Sequence, residues 1–295
     1  MELNILVLFT IFCWGIWGIF DKLALARASY KDVILILYIF YLPAIPVVYL
    51  ILNSANPGWS ITPSLVLWTG LAALSHTVAV VSYMHAMSKT EASYVLGITA
   101  AYPLVLQLLA CVFLGESLVP VRLAGAALIG AGVFAIGLST GERAAALAGR
   151  DRLVLWLCVA VATFCWGVVG LFDKKALATA HPLAVYLGQC LWDVFYLIVL
   201  VAYFKLSGHK PAVRCGRTWL FCGLSALCLM LGAWTFLAAL AQASASYVIV
   251  ITGAYPLLMY LFALLFLKER FNRARLAGIA LVVAGAVLVQ QTQLT

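Results

Sequence analysis

The sequence predicts an all-α integral membrane protein of ten transmembrane helices, built as a 5+5 inverted-topology repeat. Three observations carry this prediction. Of 295 residues, 66% are hydrophobic and 9% charged, with a mean hydropathy of +1.11, whereas about a quarter of a typical soluble domain is charged. Such a chain cannot cover itself with polar surface, so lipid is its solvent. The apolar stretches are also continuous rather than alternating, which fits helices that satisfy their own backbone in lipid and not barrel strands. Finally, the chain repeats itself at an offset of about half its length.

FCWGIWGIFDKLALA at 12–26 recurs as FCWGVVGLFDKKALA at 164–178, identical at eleven of fifteen positions. ASYVLGITAAYPL at 92–104 recurs as ASYVIVITGAYPL at 245–257, identical at ten of thirteen. Arg122-Leu123-Ala124-Gly125 likewise returns as Arg275-Leu276-Ala277-Gly278. The offset is 152 from Trp14 to Trp166 and 153 from Tyr102 to Tyr255. The organisation is therefore a first five-helix repeat at 1–138, a polar linker at 139–152 (STGERAAALAGRDR) and a second repeat at 153–295. Five is odd, so the second unit enters the membrane from the opposite side, an arrangement many secondary transporters use for alternating access.

A span needs about 20 mostly apolar residues, and turn and charge clusters divide the first unit into 3–25, 32–52, 64–86, 92–114 and 120–138. The first span lacks the basic flank of a signal peptide, so cleavage is not expected. It carries Trp14 well inside, unlike belt tryptophans at the interface. Trp14 and its repeat Trp166 can wall a substrate cavity, or simply pack against neighbouring glycines. The span ends in Asp21-Lys22, repeated as Asp173-Lys174. Lys22 and Lys174 either project into a central cavity to hold an anionic group or snorkel to the interface while the aspartates compensate their charge. The third span brings His76, a titratable group able to shuttle a proton or contact substrate, or to act as a structural hydrogen-bonder. In the fourth span Tyr102 is a substrate-contact candidate, and Pro103 removes a helical hydrogen bond and kinks the chain. Thr99 lies one turn upstream. The glycines of 125–137 permit close helix packing in the fifth span.

The second unit divides into 153–177, 182–204, 216–239, 245–267 and 273–290. Asp193 is the most informative residue, sitting near the centre of LAVYLGQCLWDVFYLIVL, where a carboxylate costs about 2.5–3.5 kcal/mol on insertion scales. It shares a polar stripe with Tyr186, Gln189 and Tyr196. That pattern predicts a proton-coupling carboxylate or a counter-charge for a cationic group, with Gln189 as a substrate contact; the alternative is a structural or protonated acid. Its counterpart in the first unit is Tyr41. Tyr255 and Pro256 repeat Tyr102 and Pro103 as contact and hinge, and the glycines of 278–285 repeat those of 125–137. Glu116 and Glu269 read as caps or interfacial partners of Arg122, Arg270 and Arg273.

The chain as a whole resembles the drug/metabolite transporter (DMT) superfamily, and its EamA-type ten-helix members in particular. Three elements carry the likeness. They are the Trp-Gly pair with a lysine eight residues on in the first and sixth spans, the small-residue and Tyr-Pro stretch of the fourth and ninth, and the Leu-x-Glu step into Arg-Leu-Ala-Gly at 114–125 and 267–278. The resemblance implies a carrier of small metabolites, often an exporter, with a substrate cavity between the halves. It also implies both termini on the cytoplasmic side. The basic residues imply the opposite, since fifteen lie in or near the odd-numbered loops and three in the even-numbered ones, and cytoplasmic loops are the basic ones.

The expected function is a secondary carrier in the cell membrane for an amino acid or related amphipathic solute, moved outward, with protons as coupling partners through Asp193. The alternative is a flippase for a polyprenyl-phosphate or lipid-linked sugar headgroup gripped by the paired lysines. An enzyme is not expected. There is no HExxH, no credible Ser/His or Cys/His arrangement and no DxxxD-type acidic motif, so neither a cofactor nor a metal is predicted. Cys13, Cys111, Cys158, Cys165, Cys190, Cys222 and Cys228 lie in apolar runs as small hydrophobes, and Cys215 sits in a basic loop. The net charge of +8 is spread over loops, which suits the anionic inner leaflet rather than nucleic acid.

Overall fold

The computed structural model describes residues 2–115, 119–138, 147, 149–212, 215–268 and 273–291. These residues form thirteen helices. In the first unit they are α1 (Leu3–Leu25), α2 (Tyr30–Tyr41), α3 (Ala44–Ala55), α4 (Pro63–Lys89), α5 (Ala92–Thr99), α6 (Tyr102–Leu114) and α7 (Pro120–Leu138). In the second they are α8 (Gly149–Leu177), α9 (Pro182–Leu206), α10 (Gly216–Gln242), α11 (Ala245–Thr252), α12 (Tyr255–Phe266) and α13 (Arg273–Gln291). Pairing α2 with α3, α5 with α6 and α11 with α12 gives ten spans. Among the described residues seven are long and apolar enough to cross a membrane alone, and three shorter apolar helices complete the set. Glu116, Glu269, Arg270 and most of the 139–152 linker lie outside the described residues, although α8 already begins at Gly149.

Local chemistry sets the helix starts. Ser29 Oγ accepts the Asp32 amide at 3.2 Å to open α2. Thr62 Oγ1 accepts from Leu65 at 3.1 Å with Pro63 at the first helical position of α4. His181 Nδ1 accepts from Leu183 at 3.3 Å, with Pro182 at the same position of α9. Side-chain acceptors satisfy amides that lack an intrahelical partner there, and proline has no amide to leave unsatisfied. The second span departs from the expected continuous 32–52 helix. It breaks between α2 and α3, because Pro43 and Pro46 each remove a donor within one turn, and the Leu42 amide tightens onto Ile39 at 3.2 Å instead.

Helix packing crosses between the units and repeats itself. α1 lies against α10 and α12 of the second unit, and correspondingly α8 lies against α4 and α6 of the first. α7 packs along α13. Glycines make these approaches possible. A Cβ on Gly15 would fall 2.7 Å from Leu258 Cβ, and one on its repeat Gly167 would fall 2.7 Å from Val105 Cβ. Gly132 and Gly278 bring the backbones of α7 and α13 into contact, so that a Cβ on Gly132 would lie 2.8 Å from the Val282 amide nitrogen. Without a hydrophobic drive between helices in lipid, such close packing supplies much of the association. Apolar side chains such as Leu8, Leu50 and Val112 face outward, where lipid solvates them.

Candidate functional site

A central cavity of about 140 Å³ lies between the two units. Its walls come from α1, α2, α4, α6, α8, α9, α10, α11 and α12. Of the sequence-predicted residues, Trp14, Trp166, His76, Tyr102, Tyr255, Gln189 and Asp193 all line it. Trp14 packs its ring against Phe236 at 5.2 Å and Tyr255 at 6.0 Å, and Trp166 packs against Tyr83 at 5.2 Å and Trp17 at 6.0 Å. The aromatic wall is thus one connected cluster drawn from both units.

Lys22 and Lys174 are placed elsewhere. Lys22 Nζ donates to the carbonyls of Met87 and Thr90 at 2.9 and 2.6 Å, and Lys174 Nζ donates to those of Leu240 and Ala243, both at 2.7 Å. Each lysine therefore holds the C-terminal turn of a neighbouring helix, α4 or α10, where carbonyls lack amide partners and the helix dipole favours a cation. The two clamps are repeat-related and stand on opposite faces of the membrane. Neither lysine lines the cavity, as the cavity reading required, and neither merely snorkels.

The aspartates beside them diverge. Asp21 is fully buried. It accepts from the Trp17 indole and, at 2.6 Å, from Ser225 Oγ, with Tyr83 standing beside it. Asp173, itself only 3% exposed, touches the cavity and accepts from Gln189 Nε2 at 2.5 Å. The repeat explains the difference. At the positions corresponding to Trp17, Ser225 and Tyr83, the Asp173 side has Val169, Ala72 and Phe236, none of which can donate, and all three line the cavity. Sequence reasoning treated Asp173 only as a charge partner of lysine. Its position seven residues after Trp166 on the same helix face was the available signal.

Asp193 lies one turn beyond Gln189 on α9, and Tyr38, Tyr41, Tyr186 and Tyr196 stand within electrostatic range of it. Among the described residues neither Asp193 nor His76 has a hydrogen-bond partner. Both are half-buried, turned to the cavity rather than sealed within the protein. Tyr41, the repeat counterpart of Asp193, is 5% exposed and its hydroxyl has no hydrogen-bond partner among the described residues. No Lys or Arg side chain among the described residues lines the cavity.

Pro103 and Pro256 each open the second half of a broken span, α6 and α12. The breaks meet at the centre, where a Cβ on Gly253 would lie 2.7 Å from Pro103 Cγ. Thr252 Oγ1 donates to the Val248 carbonyl at 2.8 Å and Thr99 Oγ1 to Leu96 at 3.4 Å, so the threonines secure their own upstream turns.

Residues 2–138 and 154–290 each match the EamA-like transporter family. A relative from Sinorhizobium sp, described as an uncharacterized transporter in the cobO 3' region, is 33% identical over 98 residues, spanning 32% of this chain and 70% of that protein. A protein of known crystal structure superposes with a TM-score of 0.74 over 98% of this chain and 96% of its own, at 17% identity. That last likeness is one of fold.

Proposed function

The chain belongs to the EamA-like transporter family, and from that premise we propose that it is an alternating-access carrier that exports a small amphipathic solute, an amino acid or a related compound, across the cytoplasmic membrane. The observation that carries this reading is the aromatic-walled central cavity between the units, with Asp193 and His76 on its wall and without a hydrogen-bond partner among the described residues. In this reading the two units rock about the central crossing of the broken spans, with Pro103 and Pro256 as hinges. Asp193 exchanges a proton for solute as the cavity changes sides. Trp14, Trp166, Tyr102 and Tyr255 hold the apolar body, and Gln189 and His76 contact its polar end. Fifteen basic residues on the odd-loop face support placing that face in the cytoplasm.

A flippase draws less support, because its phosphate grip depended on Lys22 and Lys174, whose ammonium groups are held by carbonyls. Purified protein in proteoliposomes, offered a panel of amino acids and related amines with and without a pH gradient, tests the carrier reading. Saturable uptake of one class, accelerated by the gradient, is expected. Gradient-independent movement of a lipid-linked phosphate, with no uptake of soluble solutes, would overturn it.

A further inference from the structure

Resting on the carrier reading of the cavity, and narrowing its solute from amino acids at large to amines, we infer that the charged group it recognises is a protonated amine, and that its ligands are net-cationic amphipathic amines in preference to zwitterions, neutral amino acids included, or anions. The formally charged side chains on the wall are Asp173 and Asp193, with His76 beside them and no Lys or Arg among the described residues. A carboxylate drawn out of bulk water needs hydrogen-bond donors or a counter-charge, and Asp193 is half-buried on the cavity wall. Asp21 meets that need with fixed donors, whereas Asp193 has none among the described residues. A proton can serve, and so can a ligand ammonium.

A second observation points to a ligand at the same place. Tyr41 comes from the opposite unit, is buried to 5% exposure with its hydroxyl unpartnered among the described residues, and lies within electrostatic range of Asp193. The pair offers one anionic acceptor and one hydroxyl, which fits a small cation with several N–H donors. A ligand carboxylate in the same space would face two aspartates. The rest of the wall suits the body of such a ligand. Ring faces of Trp14 and Trp166 attract a cation and stack an aryl group. Gln189, which spends a donor on Asp173, keeps its carbonyl oxygen as a further acceptor for an ammonium.

The test is equilibrium binding to purified full-length protein in nanodiscs, read by isothermal titration calorimetry. Four probes share one phenyl body: 2-phenylethylamine, phenylalanine, 3-phenylpropionate and 2-phenylethanol. The amine is expected to bind about tenfold or more tightly than each of the others. Asp193→Asn abolishes that preference, Asp193→Glu keeps it, and Asp173→Asn weakens amine binding less than Asp193→Asn does. The glutamate and Asp173 variants carry the test if Asp193→Asn does not fold. Equal affinity for 3-phenylpropionate or phenylalanine, no binding of any probe, or undiminished amine preference in folded Asp193→Asn or Asp173→Asn would overturn the inference. Binding needs no turnover, so an amine that binds without being transported contradicts the carrier reading alone. A protein that transports other solutes but ignores the amine contradicts this inference alone.

Discussion

Asp21 and Asp173 occupy equivalent places in the two units, yet one is a sealed node and the other faces a cavity. Both follow a conserved-in-repeat Trp-Gly pair, and both precede a lysine that clamps a helix end. What differs is the set of groups delivered by neighbouring helices: Trp17, Ser225 and Tyr83 stand around Asp21, and the corresponding positions in the other half are Val169, Ala72 and Phe236, which cannot donate. The features retained in both units, namely glycine contacts, lysine clamps and proline breaks, are those the frame needs. Two of the features that differ, Asp193 against Tyr41 and His76 against Leu229, lie on the cavity wall. The cavity wall combines both kinds: Trp14, Trp166, Tyr102 and Tyr255 are shared by the two copies, whereas Asp193 and His76 are not.

Substitutions at retained positions should therefore act alike in both units. The largest effect is expected for Gly132→Val and Gly278→Val. Each places atoms against the backbone of the facing helix, and with little room to shift each should cost at least the ~1–3 kcal/mol of ordinary overpacking. Thermal unfolding in detergent, followed by size-exclusion chromatography, checks both. Lys22→Met and Lys174→Met should come next, each losing two charged hydrogen bonds of about 1.5–3 kcal/mol apiece, less solvent screening at these half-buried groups. Similar falls in melting temperature are expected, and a lysine variant that lost ligand binding with an unchanged melt would return that lysine to the cavity.

The unlike pair should separate. Asp21→Asn puts an amide where two donors converge and should lower stability by about 1–3 kcal/mol. Asp173→Asn retains an oxygen for Gln189 and should melt close to wild type while weakening solute binding. Equal melting behaviour of the two would remove the contrast. The smallest effect belongs to a contact on one face only. His209 Nε2 lies 2.8 Å from Asp32 Oδ1 across the units, whereas Ser64 and Thr179 make a hydroxyl contact of 3.4 Å on the other face. Asp32 is buried and also accepts from Ser29 Oγ at 2.9 Å, so the pair is best probed from its partner: His209→Ala should lower stability by about 1 kcal/mol, a small shift of the melt.

Much of the frame was readable in the amino-acid sequence, because unbroken apolar runs and the repeated strings depend on local composition. The break at 42–43 escaped notice since Pro43 and Pro46 sit inside a run whose hydropathy never falters. Asp193 stood out because an acid in mid-membrane is rare. The lysines did not declare their role, for their carbonyl partners are 65 to 69 residues away along the chain. Nor did Asp21 and Asp173, identical in their own segments, since Ser225, which bonds Asp21, lies 204 residues away and its repeat counterpart Ala72 has no donor to offer. That information resides in which helices pack together.

Proton-gradient-driven solute uptake by Asp193→Asn in proteoliposomes, set beside wild type at matched protein and matched orientation, tests the division between frame and site most directly. Retained folding with uptake that no longer responds to the gradient is the predicted result. Gradient-driven uptake at the wild-type rate would contradict it.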